Sequence, residues 1–239
     1  MKDTTGLTLD LNRFALLSED APAYGGDPER KAAAVQIAQE HERLDRIVQG
    51  RYWTREDGEN APRGCLIGCM THSGDHEQMQ ALYGVPYTIA RLCDYIFENL
   101  PADEAPMFVP AVMEAIPTGA DLSGVMDRFR AWMLRDLLNI PDLAADVRAA
   151  VEGMAVLFER RVAGDEPTET EWQAAADAAW DAWDAGDARD AWAARAAYDA
   201  RAARAAWDAG DARAAETCAW GKCARDVLLG ILREAAVTA

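Results

Sequence analysis

Pro86-Tyr87-Thr88-Ile89-Ala90-Arg91-Leu92-Cys93-Asp94-Tyr95-Ile96-Phe97-Glu98-Asn99-Leu100 is the stretch whose periodicity decides the fold class. Its apolar residues Ile89, Leu92, Cys93, Ile96, Phe97 and Leu100 recur three and four positions apart. That spacing places them on one face of an α-helix, whereas a half-buried strand would alternate with period two.

The same period continues on both sides. Downstream, Asp103–Ile116 carries Met107, Phe108, Val112, Met113 and Ile116, with Pro110 predicting a kink or a late start. Pro117 to Ser123 reads as turn plus cap, leading into Val125, Met126, Phe129, Trp132, Met133 and Leu137. Pro141–Val162 repeats the pattern with Leu143, Val147, Val151, Met154, Phe158 and Val162. Upstream, Asp27 as cap, Pro28 at the first helical position and Gly50 as stop predict a helix whose stripe holds Ile37, His41, Leu44 and Val48. Leu7, Leu9 and Leu11 alternate with polar residues, but no partner strand appears elsewhere. Residues 1–27 are therefore read as an extended arm that packs its leucines on the body. The expected fold is all-α, with a helical body at 28–164.

Beyond Gly164-Asp165-Glu166-Pro167 the composition shifts to Ala, Asp, Arg and Trp, so 165–239 is read as a separate helical tail. Thr168-Glu169-Thr170-Glu171 has the form of a capping box. Ala-Trp-Asp-Ala-Gly-Asp-Ala-Arg occurs at 182–189 and again at 206–213. In each copy a glycine that ends helices precedes an aspartate that caps them. An unbroken helix from 168 to 236 would be about 100 Å long. A layer of helices broken near Gly186 and Gly210 is expected instead. Its Trp172, Trp180, Trp183, Trp192, Tyr198, Trp207 and Trp220 supply the burial that alanine cannot. The alternative reading makes these aromatics a protein-binding face or a homo-oligomer contact.

The net charge is −17, from 24 basic and 41 acidic residues, and the acidic excess is spread over body and tail. Such a surface repels phosphate, which argues against direct nucleic-acid binding and suits a basic protein partner. No apolar run reaches the length of a membrane span, and the first residues lack the pattern of a signal peptide. Five cysteines, an odd number, fit reduced thiols. A cytoplasmic location is the expectation.

One short segment concentrates chemistry. Residues 64–76 hold Cys65, Cys69, His72, Ser73, Asp75 and His76, and they follow a polar loop, 50–64, that carries Tyr52 and Trp53. A loop of that length inside a compact body is uncommon unless it covers a site. Three readings follow. Cys65, Cys69, His72 and His76 are zinc-type ligands at i, i+4, i+7 and i+11. A helix rises about 16 Å over that span, however, so one ion would need a fold-back or ligands from outside. Cys65 or Cys69 is alternatively a nucleophile activated by His72 or His76. In that reading Asp75 or Glu77 orients the imidazole, and a helix starting at Ser73 offers N–H groups to an anion, with Tyr52 and Trp53 lining the pocket. In the third reading the cysteines are simply buried core residues, as free cysteine often is.

The chain also carries Gln49-Gly50-Arg51-Tyr52-Trp53, Gly64-Cys65-x2-Gly68-Cys69-x2-His72-Ser73, His76, Gly84-Val85-Pro86, Ile96-Phe97-Glu98 and Pro117-x-Gly119-Ala120-Asp121-Leu122-Ser123. In these motifs, and in its Ala/Trp-rich tail, it resembles a group of hypothetical proteins of bacteria and their phages. The resemblance covers most of residues 45–165 and brings no activity with it. It implies a phage origin, and with it a further alternative: an acidic inhibitor that binds a basic channel of a host defence complex, for example of the CRISPR type.

Overall fold

The computed structural model describes residues 14–185, 193, 197 and 218–237. Among them are nine helices and no strand, so the fold is all-α. In chain order the helices are α1 (Pro28–Arg43), α2 (Leu66–Thr71), α3 (Glu77–Tyr83), α4 (Tyr87–Glu98), α5 (Ala105–Ala115), α6 (Val125–Leu137), α7 (Ala145–Val162), α8 (Glu169–Ala185) and α9 (Cys218–Arg233). No helix among the described residues is long and apolar enough to cross a membrane.

The chain divides into two compact units, Met1–Ser123 with Cys218–Ala239, and Gly124–Thr217. This division differs from the boundary at 164/165 that composition suggests. Composition reports how a helix is built, whereas the units are set by which helices bury faces against each other. α8 packs on α7 within the second unit, and α9 packs on α4 and α5 within the first. In the first unit α4 buries Ile89, Leu92, Cys93, Ile96 and Phe97, as its period predicts. α5 contains Pro110 in its interior, buries Phe108, Val109, Val112 and Met113, and starts late, at Ala105. Gly221 of α9 lies so close to α4's end that a Cβ there would stand 2.7 Å from the Asn99 carbonyl oxygen. In the second unit α6, α7 and α8 enclose Leu134, Val147, Val151, Met154, Phe158 and Trp172. The capping box forms: Glu171 N–H donates to Thr168 Oγ1 at 3.3 Å, and Thr168 N–H donates to Glu171 Oε2 at 2.7 Å.

Several boundaries move. The first helix ends at Arg43 rather than Gly50. Asp45 turns left-handed (φ 53°), and the chain then runs back as a bridge between Ile47 and Gly64. The helix expected from Ser73 begins at Glu77, and the one expected from Pro141 begins at Ala145. Leu16 of the N-terminal arm is 72% exposed, so it does not pack, while Leu17 is tied down by its N–H to the Ala81 carbonyl. Residues 1–13, the breaks near Gly186 and Gly210, and Trp192, Tyr198 and Trp207 lie outside the described residues.

Candidate metal centre

Loop 46–54 folds back over the start of α2. Gly64 N–H donates to the Arg46 carbonyl, Val48 N–H to the Gly64 carbonyl, Thr54 and Arg63 exchange both backbone bonds, and Cys65 N–H donates to the Arg51 carbonyl at 2.7 Å. Only glycine tolerates the resulting contact. A Cβ on Gly68 would stand 2.7 Å from Trp53 N, and one on Gly64 would stand 2.9 Å from the Tyr52 carbonyl. Of the expected loop 50–64, the part that carries Tyr52 and Trp53 thus lies over Gly64, Gly68 and Gly74 of the Cys/His segment. At its other end it is pinned to α4: Gln49 Nε2 donates to the Phe97 and Leu100 carbonyls, and Gly50 N–H donates to Glu98 Oε2 at 2.8 Å.

Pinning the loop to α4 brings Cys65 to that helix. One turn apart on α4, Asp94 and Glu98 share a face. Among the described residues, the only cluster of three or more His, Cys, Asp or Glu side chains able to share an ion is Cys65, Asp94 and Glu98, whose ligand atoms lie within 4.8 Å of one another. Burial, and then the neighbouring Asp94 carboxylate, push the Cys65 thiol well above its ordinary pKa. Burial, with Asp94 adding to it against the Gly50 N–H, raises the Glu98 carboxyl. Asp94 Oδ2 lies 3.1 Å from His76 Nε2, while its Oδ1 is buried with no hydrogen-bond partner among the described residues.

The other expected ligands go elsewhere. Cys69 points its thiol at the Gly64 and Arg46 carbonyls, 3.3 and 3.6 Å away, and burial pushes it up to about 12. His72 caps α2 in a left-handed conformation (φ 53°), stacks flat on Trp53 at 4.4 Å, and meets His41 with 3.2 Å between the two Nε2 atoms. His41 is fully buried, as its position on the α1 stripe predicts. His76 lies against Asp94, outside the cluster, so of the four Cys/His residues only Cys65 belongs to it. Ser73 and Asp75 serve the turn into α3: Ser73 Oγ accepts from Asp75 N–H, and Asp75 Oδ1 accepts from Glu77 N–H. Tyr52 and Tyr87 meet the His76 ring edge-on at 5.9 and 6.0 Å.

A nucleophilic thiolate does not suit this setting, since an adjacent carboxylate and burial both disfavour the ionised sulfur. A cation reverses that preference, because it neutralises the crowded thiolate and carboxylates together. Asp94 and Glu98 escape a search for Cys/His spacing. The available signal was a pair of carboxylates four apart on the polar side of an amphipathic helix. An open cleft of 410 Å³ lies elsewhere in this unit, lined by Glu19, Asp20, Gln80, Asp121 and Ser123 among others, and shares no residue with the cluster. Comparison of the chain with protein-family models, with curated proteins and with solved structures gives no match, so the site is read from its geometry alone.

Proposed function

We propose that this protein binds a divalent transition-metal ion, zinc or one of similar preference, through Cys65, Asp94 and Glu98. The observation that carries this reading is the convergence of one thiol and two carboxylates within 4.8 Å. Ligands of one zinc lie within about 4 Å of each other, so a small contraction completes the set. A thiolate with carboxylates favours borderline ions over calcium and magnesium, which take oxygen ligands. Three protein ligands leave a fourth position open to water or a small ligand, the pattern of catalytic rather than purely structural zinc sites. The ion takes the place of the thiol proton, so affinity falls as the solution becomes more acidic.

The test is cobalt(II) titration of the metal-free protein, followed optically. One equivalent with an intense thiolate-to-cobalt band, lost in Cys65→Ser and displaced by zinc, is the expected result. Uptake unchanged in Cys65→Ser, or no uptake at all, overturns the reading.

A further inference from the structure

We infer that His76 is the positioning residue of this centre: it holds one oxygen of Asp94 so that the other is presented to the ion. The inference rests on the metal-binding reading above. His76 opens α3, Asp94 lies on α4, and both side chains are largely buried, 8% and 14% exposed. An ionised carboxylate has no proton to give, so across the 3.1 Å contact the imidazole Nε2–H donates and Asp94 Oδ2 accepts. That bond fixes the rotation of the carboxylate about its Cβ–Cγ axis. The remaining oxygen, Oδ1, is buried without a hydrogen-bond partner among the described residues. A buried carboxylate oxygen left in that state is costly; the Cys65 thiol stands against the same carboxylate, and a cation shared by Cys65, Asp94 and Glu98 would take the place of its proton.

The histidine is itself held. Tyr52 reaches it from the covering loop at an interplanar angle of 88°, and Tyr87, the first residue of α4, meets it at 71°. The Tyr52 ring in turn rests over Gly74, where a Cβ would stand 3.1 Å from the ring atoms. Each tyrosine is nearly half exposed, 46% and 44%, so the pair forms the solvent-facing rim of the centre. Loop, turn and helix therefore meet on one imidazole. Its orientation is decided before any ion arrives, which lowers the ordering cost that a metal would otherwise meet on binding.

The experiment compares His76→Gln, which keeps an N–H donor, with His76→Met, which is of similar size and has none. Cobalt(II) titration gives the affinity and the ligand-field spectrum of each full-length variant, and circular dichroism of the metal-free protein verifies folding. The expected result is that His76→Met weakens cobalt binding about 10–100-fold, yet at saturation shows the wild-type thiolate-to-cobalt band, while His76→Gln recovers most of the loss. Equal affinities in wild type and both variants overturn the role, as do equal losses in Gln and Met. A His76→Met protein that loses cobalt as completely as Cys65→Ser also overturns it, because His76 is then a ligand. Wild-type protein that takes up no cobalt defeats the metal reading itself, a result distinct from all of these.

Discussion

At the residue scale, sulfur and carboxylate chemistry follow from burial. Cys65, Cys69 and Cys93 are buried and Cys223 is exposed. Burial pushes both Cys69 and Cys93 up to about 12. We therefore expect iodoacetamide at neutral pH to modify Cys223 in the native protein, and the three buried thiols only on unfolding. Peptide mapping that finds Cys65 or Cys69 labelled as fast as Cys223 would refute this account. Glu98 gives a pH prediction. Its carboxyl is raised in the folded state, first by burial and then by Asp94. A carboxyl with a raised folded pKa contributes most stability while protonated, below its unfolded value, and that contribution is lost as pH rises through the folded value. Glu98→Gln removes the charge yet keeps an acceptor for Gly50 N–H. Metal-free Glu98→Gln should therefore melt above wild type at pH 7, and the gap should close below about pH 4. A variant that melts no higher than wild type at pH 7 counts against a strained carboxylate.

At the scale of elements, two junctions decide local order. The first is the contact of the covering loop with α2. Because a Cβ at position 68 meets backbone rather than a yielding side chain, Gly68→Ala should cost about 1–3 kcal/mol and displace Trp53 from His72. Urea unfolding and quenching of tryptophan emission measure the two effects, and an alanine variant as stable as wild type would contradict the packing. The second junction is the start of α8, where Thr168 and Glu171 satisfy each other's backbone N–H groups. Thr168→Ala should destabilise the second unit by about 1 kcal/mol. An unchanged urea midpoint would mean that this helix end is held by other contacts.

At the scale of the whole molecule, a net charge of −17 spread over the chain makes self-repulsion a general cost of compactness. Raising ionic strength from low salt to 0.15 M should therefore raise the melting temperature, since it shortens the Debye length to about 8 Å. A fall in melting temperature would show that ion pairs such as Arg225–Glu104 outweigh the repulsion. Saturation with the proposed ion is expected to stabilise the first unit, in which all three proposed ligands lie. At a hundredfold excess over the dissociation constant the expected gain is about 2.7 kcal/mol in the unfolding of that unit.

The sequence by itself determined the fold class and the buried faces. The run Ile89, Leu92, Cys93, Ile96, Phe97 needs no partner to be read, because helical period is a property of a continuous stretch of chain. The capping box at Thr168 and the N-cap at Asp27 were legible for the same reason: their hydrogen bonds close within three residues. The covering loop was legible from its length and its neighbouring glycines. The candidate centre was half legible. Cys65 and His76 stand out by residue type, but Asp94 is 29 positions from Cys65 and looks like any polar residue on a helix face. Only tertiary structure, through Gln49 and Gly50 pinning the loop to α4, brings that carboxylate and Glu98 to the thiol. It likewise sent Cys69 to backbone carbonyls and His72 to Trp53 and His41, against an even stripe of four ligands. A left-handed residue at 72 breaks the helix on which that stripe would run, and a turn of this kind depends on what packs around it as much as on its own residues.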